Sequence, residues 1–137
     1  MTTLDIAVDY IPPITPRKAL LLEDDRHFAE FLREFMAKRH YLTTVVPNGA
    51  DGVRETLKAD FDVIICDMLM PKLPGDMFYM AVKHSKPHLC KRFIFITGYR
   101  SDARIQKFIA DANSILLEKP FTVHQLYQAL ANVENRS

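Results

Sequence analysis

The sequence predicts a doubly wound (βα)5 domain, an α/β fold in which a five-stranded parallel sheet is covered by helices on both faces. Five apolar stretches of strand length alternate with amphipathic stretches of helix length, which is the pattern of repeated β-α units. The runs VIIC and FIFI contain no alternating polar residues, so both faces of these strands should be buried. The chain has 137 residues, 48% of them hydrophobic, which is enough for one domain with a single core.

Apolar stripes at helical spacing define the first two repeats. The strand ALLLE, residues 19–23, precedes a helix with one buried stripe. That stripe consists of Phe28, Phe31, Leu32, Phe35 and Met36. The strand YLTTVV precedes a helix near 49–59, for which Asn48 is the predicted N-cap and Val53 and Leu57 the predicted inward residues.

The other three repeats are marked by helix start and stop signals. DVIIC is followed by the helix PGDMFYMAVKHSK, which Pro87 ends. RFIFIT is followed by a helix that starts at Ser101, and SILLE by a helix that opens with the capping-box spacing of Thr122 and Gln125. Ligands of an open parallel sheet bind outside the carboxyl ends of its strands. The residues at those ends are therefore the candidates for a site.

Polar side chains stand at the predicted carboxyl ends of four strands. They are Glu23, Asp24 and Asp25 after the first strand, Asp67 after the third, Thr97 after the fourth and Lys119 after the fifth. Each of them alone has an ordinary explanation as a helix cap, a turn residue, a strand residue or a solvated charge. Together they bring acids, a hydroxyl and an ammonium to one edge of the sheet, and that coincidence favours a functional site.

The chemistry of these groups favours phosphoryl transfer. Two carboxylates about 4 Å apart repel by roughly 4 kcal/mol at an effective dielectric of 20, so clustered acids need a cation. Oxygen ligands without His or Cys favour a hard ion such as Mg²⁺. Lys119 and Thr97 beside such an ion would form a receptor for a phosphoryl group. Asp67 could then attack phosphorus itself and carry an aspartyl phosphate.

Three short motifs occur together at these positions. An acidic pair follows the first strand in LLLEDD, DMLMP has the form D-x-x-x-P, and Lys119 begins the tripeptide KPF. Through these motifs, residues 17 to 135 resemble a response-regulator receiver domain of bacterial two-component signalling. The resemblance implies a flavodoxin-like three-layer sandwich. The sequence departs from the family pattern at Leu116, where many receivers have Tyr or Phe, and at Asn113, where many have Gly.

The resemblance also implies a role for each site residue. Asp67 would be the phosphoacceptor, Thr97 the switch hydroxyl, and Lys119, in a cis Lys-Pro bond, the phosphoryl-binding ammonium. The implied magnesium ligands are Asp24 directly, Glu23 through water, Asp67, and the backbone carbonyl of Leu69. Asp25 is the less favoured member of the acidic pair.

A histidine kinase or a phosphotransfer protein is the partner that this resemblance implies. Its phosphohistidine would donate to Asp67 with Mg²⁺ bound, and Thr97 and Lys119 would then move toward the phosphoryl oxygens. The altered surface would be recognised by a downstream protein target. The domain itself is not expected to be an enzyme, beyond slow self-dephosphorylation.

Three alternatives start from the same residues. An aspartate-nucleophile phosphatase would normally have a second acid two residues after Asp67, where this chain has Leu69. A nucleotide-binding domain would have a glycine-rich phosphate loop, and none follows any predicted strand. A scaffold that has lost phosphorylation is disfavoured by the complete set of site residues, although Leu116 is compatible with it.

Composition excludes several other classes of function. Lys and Arg total 18 against 17 for Asp and Glu, a net charge of +1, so no overall field would attract nucleic acid or an acidic membrane. No apolar run approaches the roughly 20 residues that cross a bilayer, and the N-terminus lacks the plan of a secretory signal. Cys66 and Cys90 are too few for a disulfide framework and suit a reducing compartment as buried thiols. We therefore expect a cytoplasmic protein.

Two further groups of residues have both a functional and an ordinary interpretation. His84, His88 and Cys90 have the side chains of a soft-metal site, but a proline between them interrupts the helix that would align them. No metal site is expected there. Met77 and Met80 could belong to an adaptable contact surface, and packing in the core is the expectation.

The resemblance divides the chain into an N-terminal arm, residues 1–17, and a receiver domain, residues 18–137. The arm contains LDIAVDY, which alternates like a strand, and the stiff segment IPPITP. Disorder, docking on its own domain and pairing with a second copy in a homodimer all remain open for it. After residue 121 only one helix is predicted, so we expect a stand-alone receiver, or a fragment of a longer protein, that acts through protein contacts.

Overall fold

The structure is a computed structural model that describes residues 15–98 and 102–136. Strands and helices alternate along the chain, as predicted. The strands are β1 (Arg17–Leu22), β2 (Tyr41–Val46), β3 (Val63–Asp67), β4 (Phe93–Thr97) and β5 (Ile115–Glu118). The helices are α1 (Arg26–Ala37), α2 (Gly49–Lys58), α3 (Gly75–Ser85), α4 (Ala103–Ala112) and α5 (Val123–Arg136). A 3-10 helix over Pro87–Arg92 joins α3 to β4.

The five strands form one parallel sheet in the order β2-β1-β3-β4-β5. Helices α1 and α5 pack on one face, around Leu32, Ile65 and Leu130. Helices α2, α3 and α4 cover the other face, around Ile64 and Phe78. The predicted doubly wound fold is confirmed. The strand order reverses between β1 and β3, so the carboxyl ends of these two strands are where a ligand site is expected.

The predicted helix caps are present. The Asn48 side chain accepts a hydrogen bond of 2.8 Å from the Asp51 N–H. The Thr122 N–H donates to Gln125 Oε1 at 2.8 Å, and the Gln125 N–H donates to Thr122 Oγ1 at 3.1 Å, which completes the capping box. Asn113 ends α4 with φ of 50°, the left-handed conformation that asparagine tolerates.

The inward face of α2 differs from the prediction. Leu57 is 59% exposed, and the buried stripe of this helix is formed by Gly49, Gly52 and Thr56. A Cβ atom at position 52 would lie 2.5 Å from Leu22 Cδ2, so α2 approaches the sheet through its glycines. This close approach turns the leucine at position 57 toward solvent, although Val53 still packs against the core.

Helix α3 contradicts the prediction for its methionines. Met77 and Met80 are 55% and 47% exposed and do not fill the core. The buried face of α3 is formed by Phe78, Tyr79 and Val82, which follow the i, i+1, i+4 spacing of one helical stripe. At 3.6 residues per turn, positions 77 and 80 then fall outside that stripe.

Two sequence predictions lie outside the described residues. These are the three interpretations of the N-terminal arm, of which residues 1–14 are not described, and the start of α4 at Ser101. In the described chain α4 begins at Ala103, and the Asp102 side chain accepts a hydrogen bond from the Arg104 N–H. Within residues 15–98 and 102–136, no helix has the length and apolar character needed to span a bilayer.

Candidate functional site

The three acids of the site come from the adjacent strands β1 and β3. Glu23 and Asp24 directly follow β1, Asp67 is the last residue of β3, and Leu22 is paired with Cys66 in the sheet. One carboxylate oxygen from each acid lies within 4.8 Å of the others. In the part of the chain that the structure describes, this is the one group of three or more His, Cys, Asp or Glu side chains arranged to hold a metal ion.

Strand β5 brings a single ammonium to these acids. Lys119 Nζ lies 3.8 Å from Glu23 Oε1 and 3.9 Å from Asp67 Oδ2. The Lys119 N–H donates to the Thr97 carbonyl at 2.8 Å, so the lysine backbone is fixed to the end of β4. The Lys119–Pro120 peptide bond is cis.

The structure separates the roles of the two neighbouring aspartates. Asp25 is the N-cap of α1, and its Oδ1 accepts hydrogen bonds from the N–H groups of His27 at 3.0 Å and Phe28 at 3.1 Å. Asp24 is exposed and contributes its carboxylate to the acidic cluster. The acidic cluster therefore includes Glu23 and Asp24, the two residues that the motif alignment assigns to the acidic pair.

Burial makes the acidic cluster electrostatically unfavourable. Glu23 is only 4% exposed, and this desolvation, with the charge of Asp67, raises the pKa of Glu23 to about 7 against the opposing effects of the Asp25 N–H and Lys119. Burial also raises the pKa of Asp67, although the hydrogen bond from the Leu69 N–H and the charge of Lys119 oppose the shift. Two acids in one pocket are thus destabilised in their charged forms.

The same cluster suits a hard cation. Glu23 Oε2 accepts a hydrogen bond from the Asp25 N–H at 3.2 Å, whereas Glu23 Oε1 is buried and has no hydrogen-bond partner among the described residues. A buried anionic oxygen without a partner is costly. The side-chain atoms that could ligate a metal here are all carboxylate oxygens, which are the ligands that Mg²⁺ prefers. The residues present therefore fit such an ion.

The two remaining predicted site residues flank Asp67. The Leu69 N–H donates to Asp67 Oδ1 at 3.0 Å, and the Leu69 side chain is 54% exposed. Thr97 is the last residue of β4, between the strands of Asp67 and Lys119, and is 1% exposed. A Cβ atom on the following residue, Gly98, would have no atom of the described residues within 4 Å.

Sequence reasoning missed one neighbour of the site. The Phe28 ring centroid lies 4.3 Å from Lys119 Nζ, although Phe28 was assigned only to the buried stripe of α1. The Phe121 ring meets the Phe28 ring edge-on at 5.9 Å. A signal was present in the sequence, because Phe28 lies in the first turn of a helix that starts just after the acidic pair.

The structure also shows the surroundings of Leu116 and of the histidines and cysteines that the sequence analysis considered. Leu116, at the usual aromatic position, is half-buried and packs against the core beneath α2, α3 and α4. His84, His88 and Cys90 are not among the groups of described residues that are arranged to hold a metal ion, and His88 Nε2 lies 2.8 Å from Asp60 Oδ2. Cys66 is fully buried, whereas Cys90 is only half-buried.

Residues 19–131 match the family model described as the response regulator receiver domain. The chain belongs to the response-regulator receiver family. The matched region contains all five strands except the first two residues of β1, so the resemblance inferred from the motifs is confirmed.

Curated relatives of this receiver domain are regulators and sensor kinases. The response regulator receiver protein CpdR of Brucella abortus is 28% identical over 110 residues, which are 80% of this chain and 90% of CpdR. The sensor kinase CckA of the same organism is 28% identical over 109 residues, which are 78% of this chain. The chain spans only 11% of that kinase, so the receiver occurs in proteins of very different length.

A solved structure has the same fold. The receiver domain of the sensor histidine kinase PA1611 from Pseudomonas aeruginosa aligns with this chain with a TM-score of 0.76 and 20% identity. The alignment covers 88% of this chain and 99% of the PA1611 chain. Its structure is described as having a magnesium ion coordinated in the active site cleft. At this identity the likeness shows the fold. Receiver domains are signal-transduction modules that interact with histidine kinases and phosphotransfer proteins.

Proposed function

We propose that this receiver domain accepts a phosphoryl group on Asp67 from the phosphohistidine of a histidine kinase or a phosphotransfer protein, and then signals to a downstream protein. The observation that carries the proposal is the position of Asp67. It ends a buried strand, lies within 4.8 Å of two other acids, and faces the Lys119 ammonium at 3.9 Å. A nucleophile is thereby held in place among the charges that phosphoryl transfer requires.

The two oxygens of Asp67 have different surroundings. Oδ1 accepts the hydrogen bond from the Leu69 N–H, and Oδ2 faces Lys119. We assign the attack to Oδ2 of the ionised carboxylate. The oxygen–phosphorus bond forms as the phosphorus–nitrogen bond of the phosphohistidine breaks, and the electron pair of that bond remains on the imidazole nitrogen. No general base is needed, because the attacking carboxylate carries no proton.

Charge balance assigns a divalent cation to the site. Three carboxylates face one ammonium, so an incoming phosphoryl group would meet excess negative charge. We propose that the carboxylates of Glu23, Asp24 and Asp67 and the backbone carbonyl of Leu69 hold Mg²⁺, with Glu23 acting through water. When bound, the ion neutralises the acids and the phosphoryl oxygens.

Lys119 and Thr97 are the proposed contacts for the transferred group. The Lys119 ammonium would pair with one phosphoryl oxygen, and the Thr97 hydroxyl would donate a hydrogen bond to another. Since Lys119 is bonded through its N–H to the Thr97 carbonyl, movement at one residue is transmitted to the other. The proposed output is a changed surface around β4, α4 and β5. Position 116 is a leucine that is half-buried in the core, so the proposed change involves no aromatic ring there.

The site does not favour a phosphatase. Hydrolysis with an aspartate nucleophile requires a second acid to protonate the leaving group, and the corresponding position has the exposed side chain of Leu69. We therefore propose a phosphoacceptor with at most slow self-dephosphorylation, acting in the cytoplasm.

Incubation with acetyl phosphate, with and without Mg²⁺, tests the proposed function. Intact-mass measurement should show one phosphoryl adduct on the wild-type protein only when Mg²⁺ is present, and none on Asp67→Asn. Asp111→Asn, which changes an exposed acid of α4, is the matched control and should still be modified. A wild-type protein without a magnesium-dependent adduct would exclude the phosphoacceptor, and steady turnover of a phosphoester would indicate a phosphatase.

A further inference from the structure

An aromatic ring is the third neighbour of the Lys119 ammonium among the described residues. Besides Glu23 and Asp67, Nζ lies over the Phe28 ring at 4.3 Å from its centroid. A cation within about 6 Å of a ring centroid is attracted by the negative face of the ring. Lys119 is only one-third exposed at its side chain, so this attraction acts in a partly desolvated site.

The ring is fixed to the same loop that presents the acids. The Phe28 N–H donates to the Oδ1 of Asp25, the residue that follows the acidic pair. The ring also meets Phe121 edge-on at 5.9 Å and stacks with Phe31 at 6.2 Å. Phe28 is half-buried, with these two rings and the Lys119 ammonium as its neighbours.

The distances from Lys119 to the acids show an ion pair that is not closed. Nζ is 3.8 Å from Glu23 Oε1 and 3.9 Å from Asp67 Oδ2, whereas a lysine hydrogen-bonded to a carboxylate lies at about 2.7–2.9 Å. A flexible lysine beside two acids would be expected to move onto them. In this site the ammonium instead lies between the acids and the ring.

We infer that Phe28 is a positioning residue that holds the Lys119 ammonium back from the carboxylates. Held there, the ammonium leaves Glu23 Oε1 and Asp67 Oδ2 available to a divalent cation and remains close enough to pair with an arriving phosphoryl group. The part that concerns phosphoryl transfer rests on the proposed function. The part that concerns the cation rests only on the acidic cluster and its lysine.

Loss of the ring should weaken Mg²⁺ binding. Without it, the ammonium closes onto the two acids and competes with the ion for their oxygens. The attraction of a partly buried cation to a ring corresponds to a roughly 2- to 30-fold effect. We expect Phe28→Leu to weaken Mg²⁺ affinity and to slow acetyl phosphate-dependent modification of Asp67 by a factor in that range.

Three substitutions of Phe28 distinguish the effect of its aromatic ring from the effect of its apolar packing. Phe28→Leu and Phe28→Met keep an apolar side chain without a ring, and Phe28→Tyr keeps the ring. Phe31→Leu is the matched control, because it removes a ring from the same helix. None of the described cation–π pairs joins Phe31 to Lys119. Titration calorimetry with Mg²⁺ should show weaker binding for both ringless variants, and near wild-type binding for Phe28→Tyr and Phe31→Leu. Equal weakening in Phe31→Leu would overturn the inference.

A double-mutant cycle with Lys119→Met gives the decisive result. If Phe28 acts through the lysine, Phe28→Leu should have no further effect on Mg²⁺ affinity in the Lys119→Met background. An undiminished effect in that background would show a merely structural role and would contradict the inference. Because this measurement needs no phosphorylation, a wild-type protein that binds Mg²⁺ without accepting a phosphoryl group would defeat the proposed function and leave this test intact.

Discussion

Charged side chains are arranged in opposite ways at the two ends of the sheet. At the amino end of the strands, one carboxylate faces an ammonium and an imidazole: Asp60 lies 2.9 Å from Lys86 Nζ and 2.8 Å from His88 Nε2. At the carboxyl end, three carboxylates cluster together, and a single ammonium lies 3.8 Å from Glu23 and 3.9 Å from Asp67. The first arrangement favours the charged form of its carboxylate, whereas the second disfavours the charged forms and would be relieved by the proposed cation.

The pKa shifts of the acids reflect this difference. The hydrogen bonds from Lys86 and His88 lower the pKa of Asp60. Burial raises the pKa of Glu23 to about 7 and also raises that of Asp67. An acid with a lowered pKa is stabilised in its charged form, and one with a raised pKa is destabilised in it. The proposed cation would therefore stabilise the carboxyl end in a way that it would not stabilise the amino end.

The largest expected effect is a loss of metal-free stability as pH rises. The pKa of Glu23 is about 7 in the folded state and 4.5 in the reference state, so protons bind more tightly to the folded chain. The contribution of Glu23 to the free energy of unfolding should be largest below pH 4.5 and should fall by as much as about 3 kcal/mol as the pH rises through 7. Urea unfolding in EDTA across this range measures the decrease.

Substitution of the glutamate isolates its share of that decrease. Glu23→Gln should be more stable than wild type at pH 8 and similar to it near pH 4.5, because the amide cannot ionise. Glu30→Gln, at an exposed position of α1, should keep the wild-type pH dependence. A Glu23→Gln protein with the same pH profile as wild type would remove the proposed difference between the two ends of the sheet.

A smaller effect is expected from Asp67→Asn. Removal of one charge from the crowded cluster should raise the metal-free unfolding free energy by about 1 kcal/mol, or the melting temperature by roughly 3–5 °C. It should also reduce the stabilisation that Mg²⁺ adds to the protein. Differential scanning calorimetry with EDTA and with Mg²⁺ measures both changes, and an unchanged or lower metal-free value would count against the cluster.

The smallest effect, with the opposite sign, is expected at the amino end. Asp60→Asn removes the carboxylate that Lys86 and His88 share, so its melting temperature should fall slightly and should not depend on Mg²⁺. The same calorimetric scans provide the measurement. A stabilised Asp60→Asn protein would show that both ends of the sheet hold destabilised acids.

The fold and the positions of the site residues could be predicted because they depend on local patterns. Buried strands such as β3 are continuous apolar runs, and parallel strands place their carboxyl ends at one edge. Asp67 and Lys119 therefore had to lie near each other, although they are far apart in sequence. The capping residues Asn48 and Thr122 were predictable for the same reason, since a cap needs only a side chain and the next few N–H groups.

The features that could not be predicted depend on how close two elements lie. The apolar pattern of α2 does not reveal that Gly52 brings this helix onto Leu22 and leaves Leu57 outside. Likewise, the sequence places Phe28 in an apolar stripe close to the acidic pair, but only the structure shows its ring centroid 4.3 Å from Lys119 Nζ. Distances between side chains of different elements are not encoded in periodicity.

Calorimetric titration of Mg²⁺ tests most directly whether the acids at the carboxyl end form a cation site. The structure predicts that the wild-type protein binds one Mg²⁺, that Asp67→Asn binds it at least about tenfold more weakly, and that Asp60→Asn binds it as the wild type does. Absence of binding to the wild type, or equal affinity in wild type and Asp67→Asn, would contradict the central claim.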